Sequence, residues 1–122
     1  MNILIDTHIL IWYIEGNEKL SARYLQLIES KDNNLYFSVV SLWEMAIKIS
    51  IDKLKINCPL KDFIPDGINI LAIELDHLLN VQELPFYHKD PFDRLIIAQA
   101  IKEQFYLMSI DENFANYEVN LL

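Results

Sequence analysis

The sequence places conspicuous acids directly after predicted strands or at the start of predicted helices: Asp6, Glu44, Asp90, Asp93 and Asp111. Asp6 and Asp111 each follow a short apolar run. Asp90 and Asp93 open a helical segment, and Glu44 lies one turn into another. Because the carboxyl ends of parallel strands meet at one edge of a sheet, we expect these side chains to lie close together. Clustered oxygen ligands of this kind suit Mg²⁺ or Mn²⁺.

A second interpretation of the same acids needs no metal. Asp and Glu at helix N-termini cap free amide groups and complement the helix dipole. Asp6 and Asp111 could be N-caps, and Asp90 before Pro91 fits an N-cap with proline at the first helical position. The segment 41–44, Ser-Leu-Trp-Glu, fits a capping box. Residue types and spacing leave both interpretations open.

Electrostatic repulsion favours the metal interpretation slightly. Carboxylates crowded at one edge disfavour each other's ionised form unless a cation offsets them, and only Lys89 and Arg94 are near them in sequence. A divalent cation would relieve the repulsion. The sequence does not indicate a zinc site. The three histidines and the cysteine do not occur at the spacings typical of zinc ligands; they are His8, His77, His88 and Cys58.

Strands alternate with helices along the chain, which is typical of an α/β fold. The strand-like segments are residues 3–5, 35–39, 68–73, 106–110 and, last and shortest, 118–122. The helical segments are residues 8–14, 20–30, 41–51, 76–84 and 91–104, with a short one near 60–64. We therefore predict a three-layer α/β/α sandwich around a short parallel sheet of four to five strands.

Composition predicts a single domain over residues 1–122 and a cytoplasmic location. The chain is 52% hydrophobic, with two Gly and four Pro, so it has material for a core and no flexible linker. The lone Cys58 cannot form an internal disulfide, which favours a reducing compartment. The apolar N-terminus lacks a basic leader, and no run reaches the roughly 18 uncharged apolar residues of a membrane span. We expect no membrane partner.

Net charge argues against broad, non-specific binding to nucleic acid. The chain carries 18 acids and 10 bases, a formal charge of −8, whereas such binding usually rests on a basic surface. The charge is uneven, however, and segment 44–61 holds four lysines against two acids. A local basic face beside an acidic one is therefore possible.

Four segments of the chain resemble motifs of the PIN-domain family, in its VapC toxin type. In order they are LIDTHILIW at 4–12, SVVSLWEMAIK at 38–48, HKDPFDRLIIAQA at 88–100 and LMSIDENF at 107–114. The third segment resembles a branch with an HxDPFDRxLIAQA-like sequence. The resemblance covers the whole chain and preserves the order and spacing of the motifs.

The resemblance implies a ribonuclease that depends on Mg²⁺ or Mn²⁺ and hydrolyses RNA phosphodiester bonds. Its metal-binding acids correspond here to Asp6, Glu44 and Asp93, with Asp111 as the fourth. Asn113 departs from the family, in which another acid is often found at this position. The resemblance also implies a homodimer and a small antitoxin protein that inhibits the site.

Two basic residues near the acids are candidates for holding substrate phosphates. These are Lys48 and Arg94, and each has a simpler explanation, Lys48 as the helix partner of Glu44 and Arg94 in a surface ion pair. Asp90, placed before Pro91, is better explained as an N-cap than as a ligand. Aromatic residues near the motifs fit the core or a dimer contact better than base stacking; they are Trp12, Tyr13, Trp43 and Phe92.

Other functional classes fit the sequence less well. A phosphatase with Asp6 as nucleophile would need a second acid at position 8, where this chain has His8. A receiver-like signalling domain would need an Asp pair, a phosphoacceptor Asp and a Lys at strand ends that lack them. The main alternative is a non-catalytic PIN-like binding module in which the acids serve only as helix caps.

Overall fold

The computed structural model describes residues 1–122, which form a parallel five-stranded sheet covered by helices. The strands are β1 (Asn2–Ile5), β2 (Asn34–Ser38), β3 (Ile68–Leu71), β4 (Tyr106–Met108) and β5 (Asn120–Leu121). The helices are α1 (Thr7–Glu15), α2 (Ala22–Glu29), α3 (Val39–Ser50), α4 (Leu75–Glu83) and α5 (Pro91–Glu103). Two short 3₁₀ helices span Leu60–Asp62 and Glu112–Asn116. The predicted α/β/α sandwich with a parallel sheet is confirmed.

Strand β1 lies in the middle of the sheet, whose order is β3-β2-β1-β4-β5. Successive side chains of a strand point to opposite faces, so a strand covered on both sides must be apolar throughout. Ile3 and Ile5 accordingly belong to one buried cluster and Leu4 to the other, and all three side chains are fully buried. This explains the uninterrupted apolar run that precedes Asp6.

Two hydrophobic cores flank the sheet. The first is built on residues of α1, α2 and α3, with Phe37 of β2 at its centre and Phe63 beside it. The second is built largely on α5, which contributes Leu95, Ile96 and Ile97. The helices that carry the candidate acids are therefore anchored in the two cores, and their N-termini are held at one edge of the sheet.

The start of α3 differs from the sequence prediction. Strand β2 ends at Ser38, whose hydroxyl oxygen accepts the Val40 N–H at 3.0 Å, and the helix begins at Val39 rather than Ser41. Ser41 therefore lies inside the helix and is fully buried. Register explains the change, because β2 pairs with β1 and β3 only as far as Phe37 and Ser38.

The segment after β4 also differs from the prediction. The strand ends at Met108 rather than Ile110, because Ser109 and Asp111 form a turn in which the serine hydroxyl accepts the Asp111 N–H at 3.1 Å. The 3₁₀ helix Glu112–Asn116 follows directly and was not predicted. The last strand is also shorter than predicted, covering Asn120–Leu121.

None of the helices is both long enough and apolar enough to span a membrane.

Candidate active site

The carboxyl ends of β1, β2 and β4 surround a pocket of about 380 Å³. We call it the acidic pocket; its lining consists of Asp6, Thr7, His8, Trp12, Glu44, Lys48, Asp90, Asp93, Ile110 and Asp111. All five acids singled out in the sequence meet here. The lining contains one lysine to offset them, so the pocket concentrates negative charge.

Asp6 lies at the centre of the edge, immediately after β1. Its Oδ1 accepts the Thr7 N–H at 2.8 Å, which caps α1, and its Oδ2 accepts the Ser109 hydroxyl at 2.8 Å. Burial raises the pKa of Asp6, although both hydrogen bonds act to lower it. Asp6 is thus an N-cap and a pocket acid at once, so the two sequence interpretations do not exclude each other here.

Glu44 reaches the pocket from the side of α3 that faces α1. Its Oε1 lies 3.3 Å from the Thr7 hydroxyl, which also contacts the Ser41 hydroxyl at 2.8 Å. Its Oε2 pairs with the Lys48 ammonium at 3.4 Å. The capping-box interpretation of Ser41 and Glu44 is wrong, because Ser38 is the N-cap of α3 and the Glu44 carboxylate contacts Thr7 and Lys48 instead of a backbone amide.

Asp93 enters the pocket from the first turn of α5. The structure raises its pKa from 3.8 to about 7, first through desolvation and then through the charges of the four neighbouring pocket acids. Its Oδ2 lies 3.4 Å from Nε2 of His88. The mutual repulsion expected from the sequence is therefore present in the folded protein and is strongest at Asp93.

Asp90 and Asp111 line the pocket while each caps a helix. Oδ1 of Asp90 accepts the Phe92 and Asp93 N–H groups at 2.9 and 3.2 Å, which confirms the predicted N-cap of α5. Oδ1 of Asp111 accepts the Asn113 N–H at 2.9 Å and caps the second 3₁₀ helix. Neither cap uses the second carboxylate oxygen, which is free to act in the pocket.

Arg94 does not line the acidic pocket and forms no surface ion pair, so neither role predicted for it from the sequence agrees with the structure. Its guanidinium is buried and donates to three carbonyl oxygens at the end of α4 and just beyond: Pro85 at 2.9 Å, Leu84 at 3.2 Å and Val81 at 3.4 Å. The ring of Phe86 covers it at 4.3 Å. Arg94 therefore complements the negative end of the α4 dipole and fixes the loop that follows.

Lys48, the other predicted phosphate contact, does line the pocket. Its side chain remains 43% exposed while it pairs with Glu44. Because its side chain is partly exposed, Lys48 can turn towards an incoming anion, and Glu44 then keeps its contact with the Thr7 hydroxyl. Of the two basic residues predicted to contact substrate phosphates, Lys48 therefore lies at the pocket and Arg94 lies inside the fold.

Sequence reasoning missed His88. One ligand atom each from His88, Asp93 and Asp111 lies within 4.8 Å of the other two, close enough to share a cation. His88 lies just upstream of Asp90 and opens the segment 88–100, but neither signal indicates that its ring contacts the acids. Its approach to Asp93 depends on how the loop folds.

The donor set fits a hard divalent cation. Carboxylate oxygens are the ligands that Mg²⁺ and Mn²⁺ prefer, and the pocket offers no thiolate. Desolvation raises the pKa values of Asp6 and Asp93, and the charges of neighbouring acids raise that of Asp93 further, so the folded protein disfavours their ionised forms. Binding of a cation would favour the ionised form of both groups.

Comparison with known proteins places this arrangement in a family. The PIN domain family model matches residues 3–120, and the chain belongs to that family. Ribonuclease VapC22 of Mycobacterium tuberculosis is 24% identical over 119 residues, which cover 94% of this chain and 91% of that protein.

Solved structures show the same fold. VapBC2 from Rickettsia felis, bound to a DNA fragment from its promoter, superposes with a TM-score of 0.76 at 18% identity, covering 100% of this chain and 98% of the other. A toxin-antitoxin complex from Klebsiella pneumoniae gives 0.67 at 21% identity, with 98% and 95% covered. VapBC-1 from nontypeable Haemophilus influenzae gives 0.64 at 16% identity, with 100% and 97% covered.

Proposed function

We propose that this protein is an endoribonuclease that uses Mg²⁺ or Mn²⁺ to hydrolyse RNA phosphodiester bonds, and that it is the toxin of a VapBC-type pair. The proposal rests mainly on one observation. Carboxylates from four separate segments of the chain line the same pocket. Membership of the PIN domain family and the likeness to a ribonuclease support the same conclusion.

The cation would be held by Asp6, Glu44, Asp93 and Asp111. When bound, it would stabilise negative charge on the phosphate and lower the pKa of a water molecule. The protein's own part is to keep these carboxylates at one edge: β1 and the Ser109 hydroxyl fix Asp6, while α3 and α5 carry Glu44 and Asp93. The bound charge would also offset part of the negative potential of the pocket, which reduces the objection that the chain is acidic.

Substrate contacts are expected along the rim of the pocket. Lys48 would hold a phosphate next to the scissile one, since its ammonium is at the pocket and partly exposed. His8 and Trp12 lie in the same lining with ring centroids 6.3 Å apart, so they offer flat surfaces for an unpaired base. These contacts would position single-stranded RNA without specifying its sequence.

A protein partner is part of the proposal. The solved structures with the same fold are toxin-antitoxin complexes, which supports a cognate antitoxin for this chain. An acidic pocket would suit an antitoxin segment that presents an arginine. We also expect a homodimer, and exposed apolar side chains on α4 are consistent with a protein interface; they are Leu75, Leu78 and Leu79. The protein would act in the cytoplasm as one domain over residues 1–122.

An RNA cleavage assay with a matched variant tests the proposal. The purified protein should cut single-stranded RNA with Mg²⁺ or Mn²⁺ and stop when a chelator is added. Asp93→Asn should abolish turnover, whereas Asp76→Asn, which changes an exposed acid on α4, should leave it intact. Equal cleavage by the Asp93→Asn protein would contradict the mechanism.

The alternative, a non-catalytic module with the acids as helix caps, has support from the caps at Asp6, Asp90 and Asp111. It expects no cleavage and no metal dependence. Substitution of a cap would then cost only about 1 kcal/mol of unfolding free energy. Measuring cleavage and thermal unfolding on the same variants separates the two functions.

A further inference from the structure

The hydroxyl group of Tyr117 joins three residues beside the acidic pocket. It accepts the backbone N–H of His88 at 3.1 Å and an Nη1–H of Arg94 at 3.5 Å. A phenolic hydroxyl also donates one proton, and we assign it to Nδ1 of His88, which lies 3.0 Å away.

This hydrogen bond determines which nitrogen of His88 carries the proton. A neutral imidazole has one N–H donor and one acceptor, so a ring that accepts at Nδ1 is protonated at Nε2. Nε2 lies 3.4 Å from Oδ2 of Asp93. His88 therefore faces the Asp93 carboxylate as a hydrogen-bond donor.

We propose that Tyr117 and His88 form a positioning pair that fixes the orientation of the Asp93 carboxylate for its divalent cation. The inference rests on the proposed function, because it concerns the same metal site. His88 acts through Asp93 and is not itself a ligand, since its proton occupies the nitrogen nearest to the pocket. Partners of this kind set the geometry of metal-binding carboxylates, and losing one typically weakens metal binding about 10- to 100-fold.

The surroundings of His88 restrict its movement. Its side chain is 14% exposed and lies against the rings of Phe114, at 6.1 Å between centroids, and Tyr117, at 5.7 Å. Arg94 holds the start of the same loop through the Pro85 carbonyl. Both the ring of His88 and the loop that carries it are therefore restrained. A residue that orients its neighbour must itself be held in place in this way.

Mn²⁺ binding to the metal-free, full-length protein tests the proposal. We would titrate the unaltered protein and three variants, His88→Ala, His88→Gln and Tyr117→Phe, by calorimetry. His88→Ala should weaken binding by about 10-fold or more. Tyr117→Phe should weaken it less, and His88→Gln should restore much of it, because its amide nitrogen can donate to Asp93. Thermal unfolding of each variant shows that the fold is kept.

The outcomes separate this inference from the proposed function. If the unaltered protein binds no Mn²⁺, the proposed function fails. If it binds Mn²⁺ and all variants bind equally well, the function stands and the positioning pair is wrong. A histidine nitrogen coupled to the bound Mn²⁺ in electron spin-echo spectra would also overturn it, because His88 would then be a ligand.

Nitrogen NMR of ¹⁵N-histidine-labelled protein gives a readout that does not depend on activity. We expect His88 to be protonated at Nε2 and unprotonated at Nδ1 in the Mg²⁺-loaded protein. Tyr117→Phe should remove this preference, because the phenylalanine ring offers Nδ1 no proton. A His88 protonated at Nδ1 in the unaltered protein would overturn the proposal.

Discussion

Two groups of polar side chains lie at least partly inside this fold, and they differ in whether the protein itself supplies their partners. One is the acidic pocket; the other, the glutamine network, consists of the buried Ser38, His77 and Gln99 with the exposed Glu103 at its edge. In the network the Ser38 hydroxyl donates to Gln99, whose amide donates to the Ala72 carbonyl at 3.2 Å. His77 accepts the backbone N–H that precedes α4 and pairs with Glu103 at 2.8 Å. Each group in the network has a partner inside the protein.

The acidic pocket lacks this internal compensation. Its carboxylates receive several hydrogen bonds, yet the pKa of Asp93 still rises to about 7 and that of Asp6 is also raised. Burial of polar groups is thus common to both regions and marks neither as a site. The crowding of acids with raised pKa values distinguishes the pocket, and such groups are typical of functional sites.

Breaking the glutamine network should produce the largest loss of stability. Gln99→Leu leaves the buried Ser38 hydroxyl without its acceptor, whereas the carbonyl of the exposed Ala72 can bind water instead. An unpaired buried hydroxyl costs about 1–3 kcal/mol, so we expect a loss of about 2 kcal/mol of unfolding free energy in urea denaturation. Gln26→Leu on exposed α2 is the control and should change little. A similar small effect for Gln99→Leu would show that the network contributes no stability.

A substitution in the acidic pocket should raise the stability of the metal-free protein, whereas the substitution in the glutamine network lowers it. Asp93→Asn removes a charge whose ionised form the folded state disfavours. We expect the metal-free variant to melt a few degrees above the unaltered protein and to lose the stabilisation that Mg²⁺ provides. Differential scanning calorimetry with and without Mg²⁺ measures both. A variant that melts lower without metal and is still stabilised by Mg²⁺ would contradict this view of Asp93.

The stability of the metal-free protein should depend on pH through the same group. The folded protein holds the Asp93 proton more tightly than the unfolded chain, with a pKa of about 7 against 3.8. Its contribution to stability is therefore complete below the unfolded value and is lost as the pH rises through about 7. Asp6, whose pKa is also raised, acts in the same sense.

Melting curves of the metal-free protein between about pH 5 and pH 8 measure this effect. The unaltered protein should lose stability over this range, and Asp93→Asn should show a shallower slope. Saturating Mg²⁺ should flatten or reverse the slope of the unaltered protein, because the cation favours the ionised acids. Identical slopes for the two proteins would exclude Asp93 as the cause.

The smallest effect is expected at Lys48. Its ion pair with Glu44 is partly exposed, so Lys48→Met should change the unfolding free energy by less than about 1 kcal/mol. RNA binding should weaken, and the dependence of log affinity on log salt should fall by about one. Lys53→Met, in the turn after α3, is the matched control. An unchanged salt dependence would remove Lys48 from the substrate contacts.

The sequence predicts those parts of the fold that depend on local pattern. The apolar runs before Asp6 and Asp111 mark strands in the interior of the sheet, and Asp90 with Pro91 marks a helix start, because each signal lies within a few residues. The same patterns predict that the acids share an edge. They do not decide whether an acid is a cap, a pocket residue or both, as Asp6 shows.

What the sequence could not predict depends on contacts between distant segments. Arg94 is one of two basic residues next to the acids in sequence, but its direction is set by carbonyls at the end of α4. His88 reaches Asp93 because Tyr117, 29 residues away, holds it. The choice between Ser38 and Ser41 as the start of α3 depends on where β2 stops pairing with its neighbours.

The bond between Ser109 and Asp6 has a consequence for protein synthesis. The two residues are 103 positions apart, and Asp6 also needs β4 beside β1, because its N–H donates to the Met108 carbonyl at 3.0 Å. A nascent chain that ends before Tyr106 contains Asp6, Glu44 and Asp93 but lacks β4, the strand that completes the pocket. The pocket therefore forms late in synthesis, after β4 has been made and a long loop has closed.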